Sequence, residues 1–204
     1  RGTPEQKAEF LAPAIRGEKI ASIGITEPGA GSDVGAIRTT ARRTGGDWVI
    51  HGAKTFITNG TRADFISLVA RTGEPGPKGL SVIIFPTDTK GFRVGKALRK
   101  MGSHASDTAE LFFDDCKVPL RNLVGEEGRG FGYVLDHFKG ERLVISAFAL
   151  GVMDRLWQEG TRYAAERQVF GQPLGKFQAW RHRLADVRTI IEAARKRNGH
   201  GGDG

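Results

Sequence analysis

The sequence predicts an α+β chain: an antiparallel β-sandwich or barrel domain followed by a segment of antiparallel helical bundle. Short apolar or β-branched runs bounded by Gly, Pro, Asp or Asn crowd the stretch from Lys19 to Pro119. No helical segment separates them, which argues against a doubly wound parallel sheet. Beyond Gly130 the apolar period lengthens from two residues to about three and a half. The expected organisation is the end of a preceding helical domain or linker over 1–18, a central β domain over 19–125, the start of a C-terminal helical domain over 126–197, and a flexible glycine-rich tail over 198–204.

Strands are expected at Lys19–Ile25, Trp48–Ile50, Lys54–Ile57, Asp64–Ala70, Leu80–Phe85 and Ala109–Phe113, each short and closed by turn-forming residues. Two helices follow. Leu143, Ala147, Leu150, Asp154 and Trp157 mark the first, and Phe177, Trp180, Leu184, Val187, Ile191 and Ala194 the second. The segment Gly171-Gln-Pro-Leu-Gly175 ends one and turns the chain into the other. Two helices alone cannot cover both of their apolar stripes, so a further segment or another chain is expected against them.

Composition narrows the function classes. The chain has 204 residues, 39% of them hydrophobic, with three Trp and twelve Phe, enough for a packed core. Cys116 is the single cysteine, which excludes an internal disulfide and a paired-thiol zinc or redox motif and favours a reducing compartment; no metal site is expected. The strongly apolar stretch Leu143–Met153 is too short to cross a bilayer. The chain opens on Arg1-Gly-Thr-Pro without a leader-like apolar segment, as the interior of a longer protein would. A formal charge of +8 could serve nucleic acid, yet the densest basic group, from Arg181 to Arg197, lies among Leu184, Val187 and Ile190 as a solvated helix face would. No zinc-finger spacing, RNA-binding aromatic pair or zipper accompanies it, so nucleic acid is not the expected partner.

Four segments carry chemistry. Ile25-Thr-Glu-Pro-Gly-Ala-Gly-Ser-Asp33 follows a strand and offers either an ordinary glycine turn or a donor-rich cradle, with Gly29 and Gly31 for special backbone geometry and Thr26 and Ser32 for directed hydrogen bonds. It lacks the endings of a P-loop or a dinucleotide-binding turn. Gly52-Ala-Lys-Thr-Phe-Ile-Thr-Asn-Gly60 places Phe56 two residues before Thr58 and closes on an Asn-Gly pair, a hairpin signal. Arg167 to Gln178 joins a cation, the Phe170 ring and an amide around a turn, either a capped helix end or a nucleotide contact. Gly140-Glu-Arg-Leu143 heads the long helix, where Glu141 is either a partner of the helix dipole or an ionised carboxylate able to accept a proton.

In this order and spacing, and together with Met101-Gly-Ser-His-Ala-Ser-Asp107, Phe113-Asp-Asp-Cys-Lys-Val-Pro119 and Glu166-Arg-Gln-Val-Phe-Gly171, the segments resemble the acyl-CoA dehydrogenase family of flavoproteins from about Ile20 to Arg195. The resemblance implies a β domain between helical domains, a homodimer or homotetramer, and FAD as cofactor. It implies that Ile25, Thr26, Gly31, Ser32, Phe56 and Thr58 line the flavin ring and phosphates, and that Arg167, Phe170 and Gln178 reach the FAD of a neighbouring subunit. Ser32 and Arg142 would face the acyl-CoA substrate. The implied reaction is α,β-desaturation of the acyl thioester, with an electron-transferring flavoprotein as acceptor, in the bacterial cytoplasm or the mitochondrial matrix of a eukaryote. Isovaleryl-type and long-chain-type members place the base at the Glu-Arg position of this helix, which is Glu141; other members place it near the C-terminal end. The alternative is a flavin-binding or assembly module without turnover.

Overall fold

The computed structural model describes residues 1–199. The chain divides into two compact units, Arg1–Val134 and the residues from Leu135 onward.

The first unit opens with a helical run made of α1 (Pro4–Gln6), a π-helical segment Lys7–Leu11 and α2 (Ala12–Ile15). Thr3 and Gln6 form a reciprocal capping box at its start. The Gln6 amide donates to the carbonyls of Arg121 and Leu123 at 2.7 and 2.8 Å, and Phe10 meets Phe65 edge-on at 5.3 Å, so the run is fastened to the sheet and to the segment after β7 at two points.

Seven strands form one curled mixed sheet: β1 (Ala21–Gly24), β2 (Thr40–Thr44), β3 (Asp47–Thr58), β4 (Phe65–Arg71), β5 (Leu80–Pro86), β6 (Phe92–Ala97) and β7 (Thr108–Pro119). The order is β1-β4-β2-β3-β7-β6, with β5 also on β4. The expected α+β class holds, and most pairings are antiparallel as expected. Two pairings are parallel: β1 with β4, and β2 with β4 at the single pair Thr40 and Arg71. Chain of ample length returns between each of these pairs, which is what a parallel pairing requires.

Alternation along β3 buries Trp48, Ile50 and Ile57 on the face that also collects Ile66, Leu68, Ile83, Phe85, Leu111 and Phe113. The rings of Phe85, Phe92 and Phe113 meet one another at 4.9 to 5.4 Å and close this core.

The strand pattern corrects three expectations. Trp48–Ile50 and Lys54–Ile57 belong to one strand, β3, because the chain passes Gly52 by a shift of register instead of a turn. The Asn59-Gly60 pair does not close a hairpin: β3 pairs with β2 and β7, whereas β4 pairs with β1, β2 and β5. The Asn59 carbonyl instead accepts the amides of Arg62 and Ala63, and Asp64 ties the loop to the Ile20 amide at 2.6 Å. Strands β2 and β6 were not expected, since Thr-Ala-Arg-Arg-Thr has almost no apolar content and the burial of β6 is slight.

Gly52 has φ of +147°, and a Cβ there would lie 2.6 to 2.8 Å from Thr39, backbone included. Gly52→Ala is therefore expected to cost about 3 kcal/mol in urea unfolding, from strain and overlap together. A loss below about 1 kcal/mol would show that the register shift at this point relaxes freely.

The second unit is mostly helical. Helix α3 (Gly130–Glu166) begins in the first unit and continues through the second. It is followed by the short ribbon of β8 (Gln168–Val169) and β9 (Gln172–Pro173), a 3₁₀ turn over Leu174–Lys176, and α4 (Gln178–Gly199). Phe170 and Gly171, both at positive φ, make the ribbon's two-residue turn. The indole N–H of Trp157 donates to the Leu184 carbonyl at 3.0 Å, and Asp154 pairs with Arg188 and Arg195 at 2.9 and 3.2 Å, so α3 and α4 run antiparallel.

Val144, Ile145, Phe148, Leu156, Tyr163 and Ile190 remain exposed, as the uncovered stripes led one to expect. Among the described residues no helix is long and apolar enough to cross a membrane. Of the stretch expected as a tail, Asn198 and Gly199 continue α4, and residues 200–204 lie outside the described residues.

Candidate functional site

Within the first unit, the segment after β1 and the end of β3 are joined into one edge. The Thr55 amide donates to the Thr26 carbonyl at 2.9 Å, and the Thr26 hydroxyl donates in return to the Thr55 carbonyl. The Ser22 hydroxyl donates to the Thr58 carbonyl at 2.6 Å. A hydroxyl has one hydrogen, and that of Thr26 is committed to Thr55. What its oxygen offers a ligand is therefore lone pairs, suited to an N–H group.

Between Lys54 and Ile57 the ladder to β7 slips, and Thr55 and Phe56 form the bulge. Phe56 has φ of +59°, a left-handed conformation that costs a bulky residue energy, and its ring is 68% exposed. An apolar ring held out to solvent at such cost is what a stacking or packing surface for a ligand requires. Thr58, two residues on, is also exposed. Ser32 and Gly31 lie exposed on the preceding loop, whereas the Ile25 side chain is buried and only its backbone is at this edge.

The two glycines expected to supply special backbone geometry do not do so. Neither Gly29 nor Gly31 adopts a positive φ, and a Cβ at either would meet nothing within 4 Å. The chain's own geometry does not demand glycine there; the open space beside them leaves room for a close ligand. The turn is set instead by the paired backbone groups of Glu27 and Ala30, at 2.9 and 3.1 Å.

Beneath this edge lies a buried ion pair that the sequence reading did not single out. The Lys54 ammonium, fully buried, donates to Glu27 Oε1 at 2.9 Å and to the Ile25 carbonyl at 2.8 Å. The Glu27 carboxylate also accepts the amides of Arg38 and Thr39 at 2.8 and 3.0 Å. Burial pulls the Lys54 pKa down to about 8, with Glu27 opposing that shift. Burial also raises the Glu27 carboxyl, but the Lys54 charge and the hydrogen bonds from Thr39, Arg38 and Lys54 outweigh it and hold the group below its ordinary value. The available signal was the alternation of β3, which carries Trp48 and Ile50 inward and then Lys54 to the same side.

The second unit holds the remaining expected residues. Glu141 and Arg142 lie on α3, and the placement of Glu141 is a correction: α3 begins at Gly130, so Glu141 stands about three turns inside it and not in the first turn. The helix dipole, which fades within a turn, gives it no support. Its neighbour is instead His137, whose Nε2 lies 3.3 Å from Glu141 Oε1, with both side chains about half exposed. Arg167 directly precedes β8, Phe170 stands in the turn of the β8–β9 ribbon, and Gln178 opens α4. The Arg167 carbonyl accepts the Leu174 amide at 2.7 Å, and Phe170, 93% exposed, meets Phe177 at 6.4 Å. Phe170 is the second aromatic ring held outward at positive φ, at +50°.

A flat heteroaromatic ring with polar margins fits the β edge, where outward Phe56, the Thr26 oxygen and exposed Thr58 stand on adjoining segments. The described residues include one His–Asp–Asp group, His51 with Asp114 and Asp115, whose ligand atoms lie within 4.8 Å of one another. All three are exposed, and the 3.3 Å approach of His51 to Asp115 is accounted for as a surface contact.

Comparison with known proteins gives these features a family. Residues 22–116 match the model of the acyl-CoA dehydrogenase middle domain, and residues 128–198 that of the acyl-CoA dehydrogenase C-terminal domain, together well over half the chain. The chain belongs to the acyl-CoA dehydrogenase family. It is 44% identical over 195 residues to the short-chain specific acyl-CoA dehydrogenase of Clostridium acetobutylicum, covering 95% of this chain and 52% of that one. It is 40% identical over 193 residues to the mitochondrial long-chain specific acyl-CoA dehydrogenase of Rattus norvegicus, covering 93% and 45%. The solved structure of butyryl-CoA dehydrogenase from Megasphaera elsdenii superposes with a TM-score of 0.92 at 40% identity, over 97% of this chain and 52% of that one. The chain thus spans about half the length of the acyl-CoA dehydrogenases it matches.

Proposed function

We propose that this chain is the flavin- and substrate-handling part of an FAD-dependent acyl-CoA dehydrogenase, comprising the end of a helical domain, a central β domain over 19–125 and the start of a C-terminal helical domain. The observation that carries the reading is the β3 bulge, which holds Phe56 outward in a strained conformation beside the paired Thr26 and Thr55. In the β unit, Thr26, Ser32, Phe56 and Thr58, with the backbone of Ile25 and Gly31, would hold the flavin. In the helical unit, Arg167, Phe170 and Gln178 would bind the FAD of a neighbouring subunit in a homodimer or homotetramer.

Ser32 and Arg142 would bind the acyl-CoA, and Glu141 would take its α-proton as general base. When bound, the flavin supplies the acceptor for the β-hydrogen and its electron pair, so that acyl-CoA becomes enoyl-CoA. The protein's part is to orient the thioester and to hold hydrogen-bond donors toward its carbonyl oxygen, where negative charge builds as the α-proton leaves. An electron-transferring flavoprotein would then reoxidise the enzyme, in the bacterial cytoplasm or the mitochondrial matrix.

The test is spectroscopic. The chain is titrated with FAD, and short, long and branched acyl-CoAs are then added under anaerobic conditions. Bound flavin that bleaches supports the dehydrogenase; bound flavin that never bleaches favours an assembly module, a reading supported by the exposed apolar residues of α3 and α4. Absence of flavin binding would contradict both.

A further inference from the structure

Lys54 and Thr55 of β3 face residues 25 to 27 through four hydrogen bonds. The Lys54 ammonium reaches Ile25 on one side of Thr26 and Glu27 on the other, and Thr55 takes both the carbonyl and the hydroxyl of Thr26 itself. Thr26 is thus bracketed. The carboxylate that completes the bracket is fixed in turn by the amides of Arg38 and Thr39, so the loop between Glu27 and Thr39 is closed at its base. The bulge that presents Phe56 begins at the next residue of the same strand.

The proposed reaction uses neither charge. A lysine buried to this extent is costly unless its partner is well placed, and replacement of such pairs by uncharged residues of similar volume is often neutral or stabilising. Stability alone therefore gives a weak account of the pair. We infer that Glu27 and Lys54 are positioning residues, a buried clamp that fixes Thr26 against the β3 bulge and so sets the ligand-facing edge of the sheet. Its link to catalysis rests on the flavin reading; the clamp itself does not.

The test is amide hydrogen exchange on the flavin-free chain and on the double variant Glu27→Gln/Lys54→Met, which removes both charges at nearly constant volume. The reporter is the Thr55 amide, which donates to the Thr26 carbonyl and to neither altered side chain. The expected result is a loss of protection at Thr55 of tenfold or more, with the amides of the β4–β5 ladder unchanged. Parental protection at Thr55 would overturn the proposal, and so would an equal loss in the ladder, because the pair would then support the whole fold and not the loop.

If the double variant fails to fold, Glu27→Asp replaces it, which keeps both charges in the buried site and draws the carboxylate back from Lys54, and the same outcomes decide. FAD titration runs in parallel: the parent is expected to bind, and the variant to bind at least tenfold more weakly with a shifted visible band at saturation. A parent that binds no FAD sinks the flavin reading, while the Thr55 amide still judges the clamp.

Discussion

Glu141→Gln in the flavin-loaded protein is expected to slow bleaching by acyl-CoA by about 10²–10⁴-fold while leaving FAD bound, the range over which a positioned general base acts. The substitution keeps the shape of the side chain and removes its basicity. Its cost to the fold is expected to be small, because Glu141 is exposed and its contact with His137 is a surface pair one helical turn away, worth at most about 0.5 kcal/mol. A large rate effect with normal melting and normal flavin content would therefore report chemistry. Bleaching at the parental rate would move the base to another residue, and the exposed carboxylate would be an ordinary helix-surface acid.

The second large effect is on folding. Lys54→Met strands the Glu27 carboxylate in a buried site without its counter-charge, and breaking a buried pair in this way costs about 3–5 kcal/mol. The sign of its pH dependence follows from Glu27. Its pKa is lowered in the folded parent, so it contributes stability above the ordinary carboxyl pKa of 4.5, and this is lost as the pH falls through the lower folded value. In the variant the same carboxyl is more readily protonated on folding. In urea unfolding from pH 7 downward the difference between parent and variant should thus shrink as the pH falls, and go on shrinking below about pH 4.5 as the parent's own carboxylate is lost. A difference that persists undiminished to pH 3 would assign the loss to packing of the lysine stem and not to the pair.

Much of this organisation was legible in the residues. The apolar runs at Asp64–Ala70 and Leu80–Phe85 announce buried strands, and the change of period after Gly130 announces helices. What escaped was set by contacts between distant segments. Strand β2 is polar and exists because Thr40–Thr44 pairs along β3. Asn59-Gly60 has hairpin chemistry, yet Asp107 holds the neighbouring Thr61 and Asp64 holds Ile20, so the chain leaves for a different partner strand. The candidate site was readable as a set of motifs but not as an arrangement. Thr26 stands out as a hydrogen-bonding residue of its loop, and Phe56 and Thr58 gain a role only through the resemblance, whereas nothing in the local pattern marks Lys54 as the residue that brackets Thr26. Nor does a sequence show that Phe56 and Phe170 share a left-handed backbone, since neither is a residue type that favours it.

The loop after β1 and the bulge of β3 are proposed to form one flavin-holding edge. The most direct measurement is a map of amide chemical shifts in this chain as FAD is added. Thr26, Ser32 and Thr58 are expected to shift together and saturate at one FAD concentration, while Lys117 and Val118, toward the other end of the β3–β7 ladder, stay still. Shifts that leave Thr26 and Thr58 untouched while FAD binds elsewhere would contradict it.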